Sequence, residues 1–396
     1  MSFDIRPVSK ENYQESIQLL DVAFASAEAE YFRRHQLDDP DYSFEQGRVA
    51  VVHGQIVSHV VVFHRTMSYG RGRIAFGAIG DVGTHPNHRR KGYANALLDD
   101  SVAYMKRRRM PLSMLYTGTH ALYEKSGWVT VPATELAAKA PDSPREGPRG
   151  YMVKPFEGPE LKDLEDHYRH AMSNLVGPTV RSHAYFENML GWIEVNGKVR
   201  WDVIYKVGHA VGYVRTRARG ETLTILDVAA SNEPLAQVAG ALVVKHAVEA
   251  GCSSIGGRIS PEMLFVKELG RYADFDLKPG MHQMMRLNDL RGAMDAAQPE
   301  FHRRLRVNPL AGSPVVLRAG GQEVRVEFPI GTVRIGDPVG DEQVLELSDV
   351  EFLSLLMGNK GSQRAIRESD LSNVAKAMLQ AIFPENGHVC WVADTY

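Results

Sequence analysis

The residues whose types and order could do chemistry lie between Ile74 and Trp128. Most of the information sits in Val82-Gly83-Thr84-His85-Pro86-Asn87-His88-Arg89-Arg90-Lys91-Gly92-Tyr93-Ala94. The small apolar run Ala75 to Val82 reads as a buried strand that breaks at Pro86 into a basic turn and reopens as a helix at Gly92. Beyond it, Ala94, Leu97, Leu98, Val102 and Met105 fall on one helical face, and Lys106 to Arg109 suit the negative end of that helix. A helix start carries backbone N–H groups that have no intrahelical acceptor, and Gly92 and Ala94 put no bulk in front of them. The turn therefore faces an anion, and a pyrophosphate would fit. Arg89, Arg90 and Lys91 add positive charge at its rim, although three basic residues alone describe a solvated turn equally well.

These residues resemble a known family. Arg89-x-x-Gly92-x-Ala94, preceded by a strand and Pro86, is similar to the coenzyme A pyrophosphate loop of the GNAT superfamily of N-acetyltransferases. Leu112 to Tyr116 reads as the next strand, and Ala121-Leu122-Tyr123-Glu124-Lys125-Ser126-Gly127-Trp128 resembles the helix and strand that follow in that fold. The resemblance implies acetyl-CoA as co-substrate, with no metal. It places the thioester and pantetheine along Val82, Gly83 and Thr84, and the pyrophosphate on Arg89, Arg90, Lys91, Gly92, Tyr93, Ala94 and Asn95. Gly118 and Thr119 would lie near the thiol, where the family more often carries a Ser-Glu pair.

Acyl transfer to an amine needs a held thioester, a neutral amine and a proton for the departing thiolate. An alkylamine of pKa about 10.4 is neutral in roughly one molecule in a few thousand at pH 7, so a base must take its proton. From the residues alone, Asp81 is one such base, with a structural carboxylate as the plainer alternative. His85, His88 and His120 are others, and loop histidines are usually solvated. The resemblance implies Tyr123 as general acid; a packing tyrosine is the plainer reading. A phenol of pKa about 10 giving its proton to a thiolate near 8.5 is uphill by roughly 2 kcal/mol.

Composition bounds the rest. The 396 residues are 44% hydrophobic and 24% charged, which suits two or three globular domains. A net charge of −2 gives no general attraction to nucleic acid or membrane. There is no apolar run of membrane-spanning length, and Met1 to Lys10 lacks the features of a signal peptide, so the expected location is the cytoplasm. Cys252 and Cys390 have no metal-like spacing and read as reduced core thiols.

The elements that must position the turn follow in order. Phe3 to Val8 alternates as a strand, Tyr13 to Phe24 is an amphipathic helix, and Arg48 to Val52 with Gln55 to Phe63 makes a hairpin about His53-Gly54. By the resemblance, Phe24, Glu28, Glu30, Tyr31 and Phe32 are candidate acceptor-pocket residues. Ala137 to Gly150, rich in Pro and Gly, reads as a linker. Then Trp201 to Tyr205, Ala210 to Arg215, Thr222 to Ala229 and the helix Pro234 to Ala250 repeat the first order. Here, however, the turn is Ser231-Asn232-Glu233-Pro234-Leu235; Glu233 repels phosphate and Pro234 removes a donor, so no coenzyme A site is expected.

Leu290 to Phe301, a hairpin about Gly320-Gly321, a capping box at Ser348-Asp349-Val350-Glu351 and a helix from Leu371 to Phe383 complete the chain. This last third resembles a sterol-carrier-protein-like domain. Two GNAT folds followed by such a domain resemble the Eis (enhanced intracellular survival) acetyltransferases over essentially the whole chain. The expected fold class is α+β, with domains at 1–145, 146–288 and 289–396. In that family the base is the carboxylate of a terminal aromatic residue, which implies Tyr396, and the assembly is a homohexamer. The acceptor would be a primary amine. Two other readings are a lipid or small-ligand carrier that uses the last domain, and a GNAT enzyme acting on a protein or RNA end.

Overall fold

In a computed structural model, residues 3–25, 29–191, 199–306 and 311–394 are described. The first sheet begins with β1 (Asp4–Pro7), β2 (Gly47–Val52), β3 (Gln55–Tyr69), β4 (Gly72–Thr84) and β5 (Leu112–Tyr116). Helices α1 (Tyr13–Phe24) and α2 (Ala29–Leu37) precede β2, α3 (Tyr93–Arg107) joins β4 to β5, and α4 (His120–Glu124) follows. Leu97, Leu98, Val102 and Met105 of α3 are buried, as their spacing predicts. The parallel pairing of β4 with β5 covers only Phe76 to Ala78 against Leu112 to Met114. Ser113 locks that stretch: its Oγ donates to Gly77 O at 2.8 Å and accepts from Trp128 Nε1 at 3.2 Å. Beyond Ala78 the strands part and leave a wedge between β4 and β5.

A bulge helps to open that wedge. The β3–β4 register shifts between His59 and Val61, and Asp81 takes a left-handed φ of 47°, a conformation that Asp tolerates better than most residues. Gly83 lies against α1, where a Cβ would stand 2.8 Å from a Leu20 methyl.

After β6 (Val129–Thr130) the chain enters the second sheet with β7 (Ala133–Lys139), followed by β8 (Met152–Pro155), α5 (Leu161–Met172), β9 (Val176–Thr179), α6 (His183–Gly191), β10 (Val199–Lys206), β11 (His209–Arg219) and β12 (Thr222–Ala229). Then come α7 (Glu233–Glu249), β13 (Ser254–Arg258), α8 (Leu264–Leu269), β14 (Phe275–Gly280) and β15 (Gln283–Leu287). The second sheet runs β14-β7-β13-β12-β11-β10-β8, and β12 and β13 again pair in parallel over three residues before parting.

Two features depart from the sequence reading. Ala137 to Lys139 is not linker but the end of β7, an interior strand of the second sheet; only the Pro- and Gly-rich stretch after it is irregular. And β15 returns to the first sheet, wedged between β5 and β6, so the two sheets exchange strands across residues 133 to 287.

The remainder is α9 (Leu290–Arg306), a sheet of β16 (Gly312–Ala319), β17 (Gln322–Phe328), β18 (Arg334–Gly336) and β19 (Gln343–Glu346), and helices α10 (Asp349–Leu356), α11 (Arg364–Glu368) and α12 (Asn373–Ile382). The expected capping box at Ser348 and Glu351 is formed. One apolar core joins this unit to the first sheet, running from Phe63, Tyr69 and Phe76 through Phe301 to Phe352 and Phe383. Residues 388 to 394 then run back as a strap between the first two sheets. Val389 N donates to Val176 O at 3.0 Å, and Trp391 is fully buried in the second core.

Candidate active site

The basic turn is ordered by its own residues. His85 caps the short turn Pro86–His88, its Nδ1 accepting from Asn87 N at 3.2 Å. Arg90 and Gly92 both take left-handed φ values, 61° and 86°. A Cβ on Gly92 would meet no protein atom within 4 Å, so the space before it is open and the need for glycine is conformational. Gly92 caps α3 with no side-chain hydrogen bond. The first N–H groups of α3 therefore face open space beside the mouth of the β4–β5 wedge.

Not every residue expected at the cofactor points to it. Arg89, though exposed, is engaged with backbone: Nη2 donates to Ala23 O at 2.6 Å and Nε to Thr84 O at 3.3 Å, which fixes the turn to α1 and to β4. Lys91 Nζ donates to Asn87 O at 3.0 Å, while Arg90 is exposed at the rim. The Tyr93 ring is buried edge-on to Phe3, so only its backbone is available to a ligand. Asn95 donates to Leu122 O at 2.8 Å and ties the first turn of α3 to the helix that carries Tyr123. Val82 and Ala94 are half-buried, Thr84 shares a hydrogen bond with Ser58, and Gly118 and Thr119 are exposed at the start of α4.

Tyr123 is 9% exposed, edge-on to Trp128, and burial pushes its phenol up against a smaller opposing pull from Thr117. It therefore stays protonated, and the upward shift adds to the uphill step of giving its proton to a thiolate. Asp81 is not an open base. One carboxylate oxygen meets His35 Nδ1 at 2.9 Å, and the other accepts from Gln36 Nε2 at 2.7 Å. Burial raises its pKa, but the charge and hydrogen bond of His35, the hydrogen bond of Gln36 and the charge of His59 together outweigh that, so it is held below the usual carboxylate range. His120 Nε2 donates to Met281 O at 2.9 Å and joins α4 to the β14–β15 turn.

His35 faces a cavity of 420 Å³ between the first and second sheets, whose wall includes Tyr31, Asp39, Arg65, Tyr185, Arg215, Arg217, Val392 and Ala393. Of the expected pocket residues, Tyr31 lines it, Phe32 is core, Phe24 is half exposed and Glu30 pairs with Arg33 at the surface. Glu28 and Tyr396 lie outside the described residues. The sequence carries no mark for His35, Arg65 or Arg217, because their neighbours come from distant segments. A larger cavity of 1120 Å³ lies elsewhere, between β14 and α10–α11, and its wall carries Lys278, Glu351, Lys360, Arg364, Glu368 and Glu385. Leu277, Pro279, Val350 and Ala365 share that wall, so the groove is mixed in character.

The corresponding place in the second sheet is closed. Asn232 caps α7, its side chain accepting from Leu235 N at 3.1 Å, and Pro234 lacks a donor. The wedge where β12 parts from β13 is spanned by the strap: Arg181 joins Asp227 of β12 to Asp394, and Arg258 of β13 donates to Trp391 O at 3.3 Å. Among the described residues there is no cluster suited to a metal and no helix long and apolar enough to cross a membrane.

Comparison with known proteins agrees with this architecture. Residues 4–131 match the acetyltransferase (GNAT) domain family. A GCN5-related N-acetyltransferase from Anabaena variabilis superposes with a TM-score of 0.76 at 18% identity, covering all of both chains. One from Kribbella flavida gives 0.73 at 16%, covering all of this chain and 98% of that one, and Eis1 from Mycobacterium abscessus gives 0.70 at 15% over all of both chains. The fold is thus mixed α+β of the GNAT kind. A curated relative from Streptomyces griseus, an uncharacterized N-acetyltransferase, is 22% identical over 227 residues, 53% of this chain and 52% of that protein. The chain spans about half the length of the curated relatives it matches.

Proposed function

We propose that this chain, which carries a GNAT acetyltransferase domain, is an Eis-type N-acetyltransferase. It moves the acetyl group of acetyl-CoA to a primary amine of a small molecule or a lysine side chain. Its three units are a catalytic GNAT fold (1–145), a second GNAT-like fold without a coenzyme A site (146–288) and a sterol-carrier-like unit (289–396), with β7, β9 and β15 exchanged between the first two. The observation that carries the reading is the contrast between two equivalent places: the uncapped start of α3 beside an open wedge, and the self-capped start of α7 beside a wedge filled by the strap.

The residues fit acetyl-CoA. The N–H groups at Gly92 to Asn95, with Arg90 and Lys91, receive the pyrophosphate, while Val82, Gly83 and Thr84 line the arm that enters the wedge, with Gly118 and Thr119 at its far side. Bound there, the thioester supplies an activated acetyl group: the C–N bond forms as the C–S bond breaks. Tyr123 gives its proton to the departing sulfur. The amine proton passes to the carboxylate of Tyr396. Support for that base is that Val392 and Ala393 line the same cavity as His35, and two residues beyond the fixed Asp394 reach at most about 7 Å. His35, oriented by Asp81, stands on the opposite wall and, in its neutral form, is the second proton acceptor. The family resemblance also implies a homohexamer.

The test is thiol release from acetyl-CoA across aminoglycosides, polyamines, arylalkylamines, amino acids and lysine peptides. Amine-dependent release supports the reading. Release that no amine accelerates sinks it.

A further inference from the structure

The cavity beside His35 has an uneven distribution of charge. Its first wall, from α2 and β3, carries Tyr31, His35, Asp39 and Arg65; its second wall, from α6, β11 and the strap, carries Tyr185, Arg215 and Arg217. The guanidinium charges can be traced one at a time. Arg65 is paired with Asp39, and both are buried. Arg215 lies 3.6 Å from Asp227, a carboxylate that it shares with Arg181, and Arg181 also holds Asp394. Two cations there meet two carboxylates.

Arg217 is different. No side-chain hydrogen bond or ion pair reaches its guanidinium among the described residues, its Nε is buried with no acceptor, and its neighbour in charge is another cation, Arg219. Burial and Arg219 both push its pKa down. In Arg181 burial acts the same way, but Asp394 and Asp227 overcome it and its pKa is pushed well up. Among the described residues this half-buried guanidinium on a cavity wall has no partner that carries negative charge, and a carboxylate matches its planar fork.

We infer that the acceptor amine also bears a carboxylate, and that Arg217 receives it. The amine end belongs at the first wall, where His35 meets Asp81 one residue before Val82, and the carboxylate end belongs at the second. A volume of 420 Å³ lies towards the small end of ligand pockets and suits a molecule the size of an amino acid or dipeptide, its apolar body against Tyr31, Tyr185 and Leu226. A polycation would meet Arg217 as a like charge. The second unit thereby gains a role of its own, since it lacks the open helix start that binds phosphate but supplies the wall that recognises the acceptor. The position of the amine rests on the acetyl-transfer reading; the anion site does not.

The experiment is calorimetric binding of matched acids and amides, lysine against lysinamide and phenylalanine against phenylalaninamide, together with acetyl-transfer rates for each. Tenfold or greater preference for the acids is expected. The preference should vanish in Arg217→Gln and return in part in Arg217→Lys, with folding checked by circular dichroism. Amides bound as well as acids, or a preference that survives Arg217→Gln, would overturn the inference. If Arg217→Gln does not fold, the comparison of acids with amides in the unaltered protein decides alone. Acids bound selectively but not acetylated, while other amines are, would overturn the inference about the acceptor. No acetylation of any amine would sink the transfer reading and leave the anion site standing. Rapid acetylation with no preference for acids would overturn the inference and leave the transfer reading standing.

Discussion

Arg181 and Asp394 are 213 residues apart in sequence and meet in a two-pronged pair, Nε to Oδ1 at 2.9 Å and Nη2 to Oδ2 at 3.0 Å, with neither side chain exposed. The pair fixes the strap against β12 and so brings Val392 and Ala393 to the wall of the cavity beside His35. Removing one partner of a buried pair leaves the other charge uncompensated, at a cost of about 3 to 5 kcal/mol. Asp394→Ala should therefore lower unfolding stability by that order and reduce turnover while leaving acetyl-CoA affinity intact. A denaturant midpoint unchanged from the unaltered protein would show that the strap is held by Trp391 instead.

The strap also carries a pH-sensitive group. His388 is 1% exposed, and its Nε2 lies 2.8 Å from Gln283 Nε2, which donates to it. Burial pushes its pKa from 6.5 to about 4. The unfolded chain then binds a proton that the folded chain refuses, so this stability is fully present above about 6.5 and is lost as pH falls towards 4, by about 3 kcal/mol in total. Unfolding curves for the unaltered protein and His388→Gln should converge across that window as pH falls. Parallel curves would show that His388 does not titrate with the strap.

Tyr123→Phe keeps the ring against Trp128 and removes only the donor. It should fold normally, bind acetyl-CoA and turn over about a hundredfold more slowly or worse. Near-normal kcat would make Tyr123 a packing residue.

Much of the first unit was legible because its signals are local. The alternation of β1, the hairpin of β2 and β3 about His53-Gly54, the apolar run of β4, the face of α3 and the Ser348–Glu351 cap are each set by residues within a few positions of one another. What escaped is non-local. Ala137 to Lys139 sits just before prolines and looks like linker, yet it is held between β13 and β14 by strands far along the chain. Gln283 to Leu287 has nothing in its own composition to send it back between β5 and β6. In the site, the Arg89-x-x-Gly92-x-Ala94 spacing located the helix start, but not that the Arg89 guanidinium donates to Ala23 O. Asp81 was visible as a carboxylate at the end of a strand; His35, which occupies it and faces the cavity, is 46 residues away.

If the carboxylate of Tyr396 is the base, a few residues appended after it should abolish turnover without weakening acetyl-CoA binding. Tyr396→Phe, which keeps ring and carboxylate, should be nearly silent. An extended protein with full kcat would move the role to His35 and Asp81, and Asp81→Asn should then be the slow variant.

On the proposed function, one of two equivalent helix starts binds acetyl-CoA and the other does not. Calorimetric titration tests this most directly. One site per chain is expected, and none in Gly92→Glu, where bulk and negative charge would fill the open space before α3. Two sites per chain, or unaltered affinity in Gly92→Glu, would contradict it.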